Sequence, residues 1–241
     1  MLKVVNEYGT KVIQSGKVIE VYEYKNPVKN GYTGGKGGRK KSSDVATNQE
    51  EKEINREKVL NRARRDLRRI VNSNVQDYSK FLTLTFADNV QDIEWANNEF
   101  KKFIKRFNYY LGYKVAYSGV IEFQKRGAIH YHVIFYNTPQ KLKLDDLRAT
   151  WNHGYIKLNI IRDVDNVGAY VCKYMTKCED EKKLRGKKLY FNSRGLEKSH
   201  EVKEPELVKA VVGALQGQAP KYENTFVNEY NSIAYKQYII E

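Results

Sequence analysis

Two histidines in the segment GAIHYHVIFYN, residues 127–137, have the spacing of paired ligands on a β-strand. The segment is rich in the apolar and aromatic residues that favour strands. Because side chains two apart on a strand point to the same face, His130 and His132 project together, with Cα atoms roughly 6.6 Å apart. Tyr131, between them, faces away. The pair suits a shared metal ion, although a strand histidine on its own is more often a hydrogen-bonded core residue.

The residues before this strand predict a hairpin that adds a carboxylate to the histidine pair. The three residues KRG, 125–127, fit a hairpin loop whose last position needs the left-handed conformation that glycine supplies. Such a loop sets Glu122 opposite His130, with Cβ atoms about 5 Å apart. A two-residue turn would shift the register by one and place Glu122 opposite the intervening tyrosine, on the wrong face.

Two imidazoles and one carboxylate form a ligand set that leaves coordination positions open, as catalysis requires. Non-haem iron oxygenases use the same set. The chain, however, has 43 Lys and Arg against 29 Asp and Glu, a formal net charge of +14, which is typical of a protein that binds a polyphosphate. The prediction is therefore a divalent ion that polarises a phosphate oxygen, Mn²⁺ or Mg²⁺, and manganese tolerates imidazole better.

Two tyrosines further along the chain could supply a nucleophile. In NVGAYVCKYMTK, residues 166–177, Tyr170 and Tyr174 are four apart and share one face of a predicted helix. Each is followed three residues later by a lysine, Lys173 or Lys177. A phenol with a pKa of about 10 is a poor nucleophile at neutral pH, and a nearby ammonium group or metal ion favours the phenolate. The alternative is that both tyrosines pack in the core and both lysines are solvated.

A basic amphipathic helix is predicted upstream, over EKEINREKVLNRARRDLRRIV, residues 51–71. Its apolar residues recur on one face, and four cations line the opposite face. These cations are Lys58, Arg62, Arg65 and Arg69. They either contact DNA phosphates, as the net charge favours, or form an ordinary solvated surface. Lys125 and Arg126 in the hairpin loop are further predicted DNA contacts.

The remaining periodicities predict an α+β fold in which helices cover an antiparallel sheet. Strands are expected at 81–86, 113–123, 128–136 and 154–161, and helices at 92–111, 142–151 and 165–177. Residues 2–25 predict a small β-meander, and the Gly- and Lys-rich segment 26–44 predicts a mobile loop.

Composition divides the chain into three segments. They are an N-terminal meander with a basic loop (1–45), a core with its leading basic helix (46–178) and a basic C-terminal extension (179–241). No apolar run approaches the roughly 20 residues of a membrane-spanning helix, and the N-terminus lacks a signal-peptide pattern. The expected location is the cytoplasm of a bacterial host cell, without a membrane partner.

Three motifs resemble, in the same order, those of the HUH endonucleases, and among these the rolling-circle replication initiators (Rep proteins) of bacterial phages and small plasmids. The motifs are FLTLTF, GVIEFQKRGAIHYHVIF and AYVCKYMTK, over roughly residues 80–178. The sequence departs from the family in one place, because Tyr131 replaces the bulky hydrophobe that is usual between the histidines. The resemblance implies the HUH/Rep nuclease fold, a five-stranded antiparallel sheet of RRM- or ferredoxin-like topology with flanking helices. It also implies Glu122 as the third metal ligand, with Gln124 as the fallback.

The resemblance further implies a reaction. One tyrosine attacks a phosphodiester in single-stranded origin DNA, which leaves a free 3′-OH and a 5′-phosphotyrosine bond. Tyr170 would be the first nucleophile, and Tyr174 would cut the regenerated junction and pass strands on without ATP. The 3′-OH would prime a host DNA polymerase. A host helicase would unwind the duplex, since the chain shows no helicase motif.

Two rival interpretations stay open. A single-strand transposase or relaxase would share the HUH site but differ in its partners and in its use of the tyrosines. A non-catalytic nucleic-acid-binding module of similar sheet topology would fit the basic charge equally well, and it would bind without a metal.

Overall fold

The computed structural model describes residues 7–30, 49–159, 161, 165–175, 184 and 186–240. Among these residues the chain forms five helices: α1 (Gln49–Asn74), α2 (Ile93–Leu111), α3 (Leu144–Trp151), α4 (Val167–Cys172) and α5 (Pro205–Ala214). Its ten strands there are β1 (Glu7–Ser15), β2 (Val18–Lys29), β3 (Lys80–Thr85), β4 (Tyr117–Phe123), β5 (Ile129–Phe135), β6 (Ile156–Asn159), β7 (Phe191–Asn192), β8 (His200–Val202), β9 (Tyr222–Val227) and β10 (Ser232–Ile239). Within this part of the chain, no helix has both the length and the apolar character that spanning a membrane requires.

The chain divides into two compact units. Leu60–Lys198 forms the core unit, and Met1–Val59 with Ser199–Glu241 forms the terminal unit. The core unit holds 27 Lys and Arg against 15 Asp and Glu, a formal net charge of +12, and the terminal unit carries the remaining +2. The positive charge that attracts a polyphosphate is therefore concentrated in the core unit.

Five antiparallel strands form the core sheet, in the order β6-β3-β5-β4-β7. The alternating segment 81–86 corresponds to β3, which lies between β5 and β6. β4 and β5 form the hairpin around the KRG loop. The predicted α+β class, with a five-stranded antiparallel sheet and flanking helices, is confirmed.

The two faces of the core sheet bury different side chains. On one face, the packed face, α2 and α3 cover an apolar cluster that includes Leu84, Tyr131 and Phe103. On the other, the site face, α1 and α4 pack against Phe81 and Ile134. This separation follows from the strand period of two, since neighbouring residues of β3 and β5 point to opposite faces. Each fully buried large apolar side chain contributes roughly 1.5–3 kcal/mol to folding.

The sequence signals at the ends of α2 are confirmed. Asp92 caps the N-terminus by accepting hydrogen bonds from the backbone N–H groups of Glu94 and Trp95. Gly112 takes the left-handed conformation (φ 76°) after the last turn, and its N–H donates to the carbonyl of Asn108. α2 is therefore held at both ends by local contacts that the sequence predicts.

The helix predicted over 165–177 is shorter in the structure. α4 covers only Val167–Cys172, and the residues that follow form i→i+3 hydrogen bonds, with the Tyr174 N–H donating to the carbonyl of Val171 at 3.1 Å. Such tightening into a 3₁₀ turn is common at helix ends, and the apolar periodicity does not distinguish it from another helical turn. Tyr174 therefore lies on the turn after α4.

The terminal unit contains a second antiparallel sheet, in the order β8-β1-β2-β10-β9. Its strands come from both ends of the chain, because β10 from the C-terminal segment pairs with β2 from the N-terminal one. α5 covers one face of this sheet, and Val208 and Leu215 pack with Val12 and Val21. The sheet therefore has its own small core.

The strands predicted over 2–25 correspond to β1 and β2, which pair as a hairpin with Gly16 (φ 56°) at its turn. β2 continues to Lys29, past the start of the loop predicted at 26–44, because its last residues pair with the start of β1 across an irregularity in the register. Residues 31–48, the rest of that segment, lie outside the described residues.

Candidate active site

The predicted hairpin register is confirmed, and it places Glu122 directly opposite His130. Gly127 takes the left-handed conformation (φ 88°), and its N–H donates to the carbonyl of Gln124 at 2.7 Å. The two-residue turn considered above is excluded. Glu122, His130 and His132, which we call the triad, each offer one ligand atom, and these atoms lie within 4.8 Å of one another.

His132 is held at both ring nitrogens. Its Nε2 lies 2.5 Å from Oε2 of Glu122, and its Nδ1 lies 3.1 Å from Oγ1 of Thr83. Thr83 is on β3, directly opposite His132 in the strand pairing. If Nδ1–H donates to the Thr83 hydroxyl, the Nε2 lone pair faces the triad, which is the tautomer that a metal ligand needs. Thr83 is therefore placed to orient the imidazole.

His130 contains a buried nitrogen without a partner. Its Nε2 is inaccessible to solvent and makes no hydrogen bond within the described part of the chain. Burial, and next the neighbouring His132, lower the pKa of His130 below its usual value, which favours the neutral form that binds metals. An unsatisfied buried group costs about 1–3 kcal/mol. A cation bound at this nitrogen would remove that cost, so the triad fits a divalent ion.

Gln124, the predicted fallback ligand, is engaged in the hairpin loop. Its Oε1 accepts a hydrogen bond from Nε of Arg126 at 2.8 Å. Arg126 also donates to the carbonyl of Phe86 at 3.4 Å, which ties the loop to the end of β3. Glu122 therefore supplies the oxygen that meets the two histidines.

Both predicted tyrosines lie beside the triad. The Tyr174 ring stacks on the His132 imidazole, with centroids 4.1 Å apart and planes inclined by 28°. The hydroxyls of Tyr170 and Tyr174 are 3.2 Å apart and share a hydrogen bond. Phe81 contacts both phenol rings, with centroids at 5.6 Å from Tyr170 and 5.3 Å from Tyr174. The two phenols and the triad therefore form one cluster on the site face.

The Tyr174 hydroxyl is difficult to ionise in this environment. Burial raises the pKa of Tyr174 to about 12, and the hydrogen bond with Tyr170 and the charge of Glu122 act in the same direction. A nearby positive charge would oppose these effects. The Nζ of Lys173 lies 5.8 Å from the Tyr170 ring centroid, within cation–π range. Lys177, the second predicted lysine, lies outside the described residues.

A buried asparagine on α1 fixes the position of α4. Asn72 accepts a hydrogen bond from the N–H of Gly168 at 2.7 Å, and its amide donates to Oδ1 of Asn166 at 3.0 Å. Asn166 in turn caps α4 by accepting from the N–H of Ala169 at 2.9 Å. Gly168 lies so close to α1 that an added Cβ would clash with the carbonyl oxygen of Arg68. These contacts position the segment that carries both tyrosines.

Sequence reasoning did not single out the residues that support the site. Asn166 could have been found, because an asparagine just before an apolar helical pattern is a helix-cap signal. Thr83 lies in a motif that was read as a strand, but its bond to His132 depends on strand pairing. Asn72 and Gly168 meet only through the tertiary packing of α1 on α4, for which no local pattern exists.

The predicted phosphate contacts lie on the outer side of α1 and on the hairpin loop. On α1, Lys58, Arg62 and Arg65 are exposed and Arg69 is half-buried. The buried side of the helix holds Leu67 and Val71. Arg65 also forms an ion pair with Asp66, with 3.5 Å between Nε and Oδ1. Lys125 and Arg126 are exposed at the end of the hairpin that carries Glu122 and His130.

Residues 79–179 match the model of a protein family described as the ORF2 type of replication-associated protein. The matched region runs from the start of β3 past α4, so it includes the triad and both tyrosines. This similarity supports a replication initiator of the Rep type. No curated protein and no solved structure is significantly similar to the chain.

Proposed function

We propose that this protein is an HUH-type rolling-circle replication initiator, a metal-dependent endonuclease that nicks single-stranded origin DNA by tyrosine attack. The observation that carries the proposal is the single cluster formed by the triad and two phenols, in which the Tyr174 ring lies against His132. The similarity of residues 79–179 to replication-associated proteins supports the same function. The +12 charge of the core unit supports a DNA substrate.

In the proposed reaction, the hydroxyl oxygen of Tyr170 or Tyr174 attacks the phosphorus of one phosphodiester. A P–O bond to the tyrosine forms, the P–O3′ bond breaks, the phenol proton is released, and the departing 3′ oxygen takes up a proton. The products are a 5′-phosphotyrosine and a free 3′-OH. Because the covalent link conserves the phosphodiester energy, a later attack by a 3′-OH rejoins the strands without ATP.

The residues around the phenols have separate roles in this scheme. Glu122, His130 and His132 would hold a divalent ion, Mn²⁺ or Mg²⁺, which polarises a phosphate oxygen when bound. Lys173 favours the phenolate through its charge, and Lys177 is proposed to do the same. The cations of α1 and of the hairpin loop would contact DNA phosphates.

The short distance between the two phenols favours their successive use at one phosphate position. Their hydroxyl oxygens are only 3.2 Å apart, so a phosphate within reach of one is close to the other. Tyr170 is proposed to cut first and Tyr174 second. The free 3′-OH would prime a host polymerase, and a host helicase would open the duplex.

Covalent capture tests this function without knowledge of the origin sequence. The protein is incubated with a randomised pool of single-stranded DNA and Mn²⁺, and DNA that stays attached on a denaturing gel is sequenced. We expect an enriched cleavage sequence, and no adduct when EDTA is present. Tight binding without an adduct at any sequence would show a non-catalytic binding module instead.

Single-tyrosine variants separate an initiator from a transposase or relaxase. On the captured sequence, Tyr170→Phe is expected to remove the first cut, and Tyr174→Phe is expected to leave the first cut but remove strand transfer. If Tyr174→Phe leaves both nicking and strand transfer unchanged, the use of two tyrosines is wrong. The Tyr170→Phe/Tyr174→Phe double variant serves as the inactive control.

A further inference from the structure

We propose that the β6 edge of the site face is a binding subsite for the single-stranded DNA next to the scissile phosphate. In this subsite Tyr155 stacks on a base and Lys157 contacts a phosphate. The inference rests on the proposed function, because it concerns the substrate of the same site. It is carried by strand register, exposure and charge.

The strand register places Lys157 and Tyr155 in line with the two histidines. Lys157 pairs with Thr83, and Thr83 pairs with His132, so these residues form one row across β6, β3 and β5. The carbonyl of Tyr155 accepts a hydrogen bond from the N–H of Thr85 at 2.9 Å, and Thr85 pairs with His130. Neighbouring strands are about 4.8 Å apart, so both residues start roughly 10 Å from the histidine strand.

The alternation of β6 places both residues on the correct side of the sheet. Ile156, between them, is fully buried in the cluster of the packed face. Its two neighbours therefore point toward the site face or its edge. A strand of DNA that leaves the triad in this direction would meet them within a few nucleotides.

Both residues are available to a ligand. Tyr155 is 58% exposed, which is unusual for a large aromatic side chain unless it serves a partner. The Arg148 guanidinium lies 5.9 Å from its ring centroid, so a cation is already beside the ring. Lys157 is exposed and forms no ion pair among the described residues. An exposed aromatic ring next to cations is the combination that binds single strands, in which base faces are open for stacking.

A rival surface exists on the opposite side of the core sheet. A cleft of about 580 Å³ between α2 and α3 is lined by Lys105, Arg106, Tyr109, Tyr110 and Asp146, among others. Its polar groups are partly occupied, since Tyr110 donates to Asp146 at 2.7 Å and Arg106 donates to the carbonyl of Thr150 at 2.8 Å. It is also separated from the triad by the thickness of the sheet. The β6 edge is therefore the better continuation of the site.

The test measures binding of a fluorescein-labelled oligo-dT of about 20 nucleotides by anisotropy, in EDTA, so that no cleavage occurs. Tyr155→Ala is expected to weaken binding about 5- to 150-fold, as for loss of one stacked base, and Tyr155→Phe is expected to restore it. Lys157→Ala is expected to lower the slope of log affinity against log salt by about 0.7, as for one lost phosphate contact on a single strand.

Matched controls come from the rival cleft. Tyr109→Ala and Lys105→Ala remove an exposed tyrosine and an exposed lysine from the other side of the sheet, and they are expected to leave binding unchanged. An oligonucleotide with abasic sites should bind wild type and Tyr155→Ala equally, since there is no base to stack. Unchanged binding in both β6 variants, or a loss confined to the two controls, would overturn the proposal.

The outcome is independent of whether the protein cleaves DNA. The Mn²⁺-induced rise in Tm reports on the triad and is expected to be the same in wild type and in all four alanine variants. A β6-dependent loss of binding in a protein that never forms an adduct would support the subsite and contradict the proposed nuclease. Adduct formation with no contribution from Tyr155 or Lys157 would contradict the subsite alone.

Discussion

The two faces of the core sheet solve opposite problems with alternate residues of the same strand. On the packed face, Tyr131 is fully buried, its ring stacks on Phe100 at 4.9 Å, and its hydroxyl donates to Asn97 at 2.8 Å. On the site face, one residue away on either side, His130 keeps a buried nitrogen unsatisfied and His132 is held by polar partners. The packed face therefore stabilises the fold, whereas the site face retains groups that only a ligand would satisfy.

The largest expected effect comes from removing a triad imidazole. His132→Ala should reduce metal-dependent cleavage on the order of 10³-fold, because a polarising ion supplies several kcal/mol of transition-state stabilisation. It should also abolish the rise in Tm that Mn²⁺ gives the wild type. Both are measured on the captured DNA sequence and by thermal melting. Cleavage at the wild-type rate would show that the site face is not the reactive one.

The matching change on the packed face should affect stability. Tyr131→Ala should lower the free energy of unfolding by about 3–5 kcal/mol, as for other large buried aromatic side chains. Tyr131→Phe, which removes only the hydrogen bond to Asn97, should cost about 1 kcal/mol. Urea denaturation measures both. Should Tyr131→Phe lose Mn²⁺ binding while keeping its stability, the two faces would not be functionally separate.

The seat of α4 should tolerate no added side chain. Gly168→Ala should reduce cleavage on the order of 10²-fold, because the clash with the Arg68 carbonyl displaces the tyrosine segment from the triad. Stability should fall by about 1–3 kcal/mol. Gly213→Ala in α5 is the control, since a Cβ there meets nothing within 4 Å and alanine favours helix. Wild-type cleavage by Gly168→Ala would contradict the role of this contact.

The smallest of these effects is expected at the hydroxyl that orients His132. Thr83→Val keeps the side-chain shape but removes the partner of Nδ1, and it should weaken Mn²⁺ binding about 10- to 100-fold. Thr85→Val is the matched control, because its side chain is on the same face and makes no hydrogen bond in the described part of the chain. Isothermal titration with Mn²⁺ distinguishes the two, and equal affinities would remove Thr83 from the account.

The hairpin shows how much of the site follows from sequence alone. Two histidines at strand spacing and a glycine at the last loop position determine which residues share a face and which residue pairs with His130. Both determinants are local, so the position of Glu122 could be predicted. The core sheet and the ends of α2 were predictable for the same reason, since alternation and caps are local signals.

Other features depend on contacts between distant segments. β10 pairs with β2 across most of the chain, and no periodicity in either strand specifies that partner. The Thr83–His132 bond and the Asn72–Gly168 contact likewise appear only after the elements pack. The turn at Tyr174 was missed because a 3₁₀ turn and a helical turn share the same apolar spacing.

The most direct test of the central claim is to map the covalent adduct. Wild-type protein is incubated with the captured single-stranded sequence and Mn²⁺, digested with protease and nuclease, and its peptides are analysed by mass spectrometry. The account predicts a nucleotide attached to Tyr170 or Tyr174, and no such adduct in His132→Ala. A nucleotide attached to any other residue, or the same adduct in His132→Ala, would contradict it.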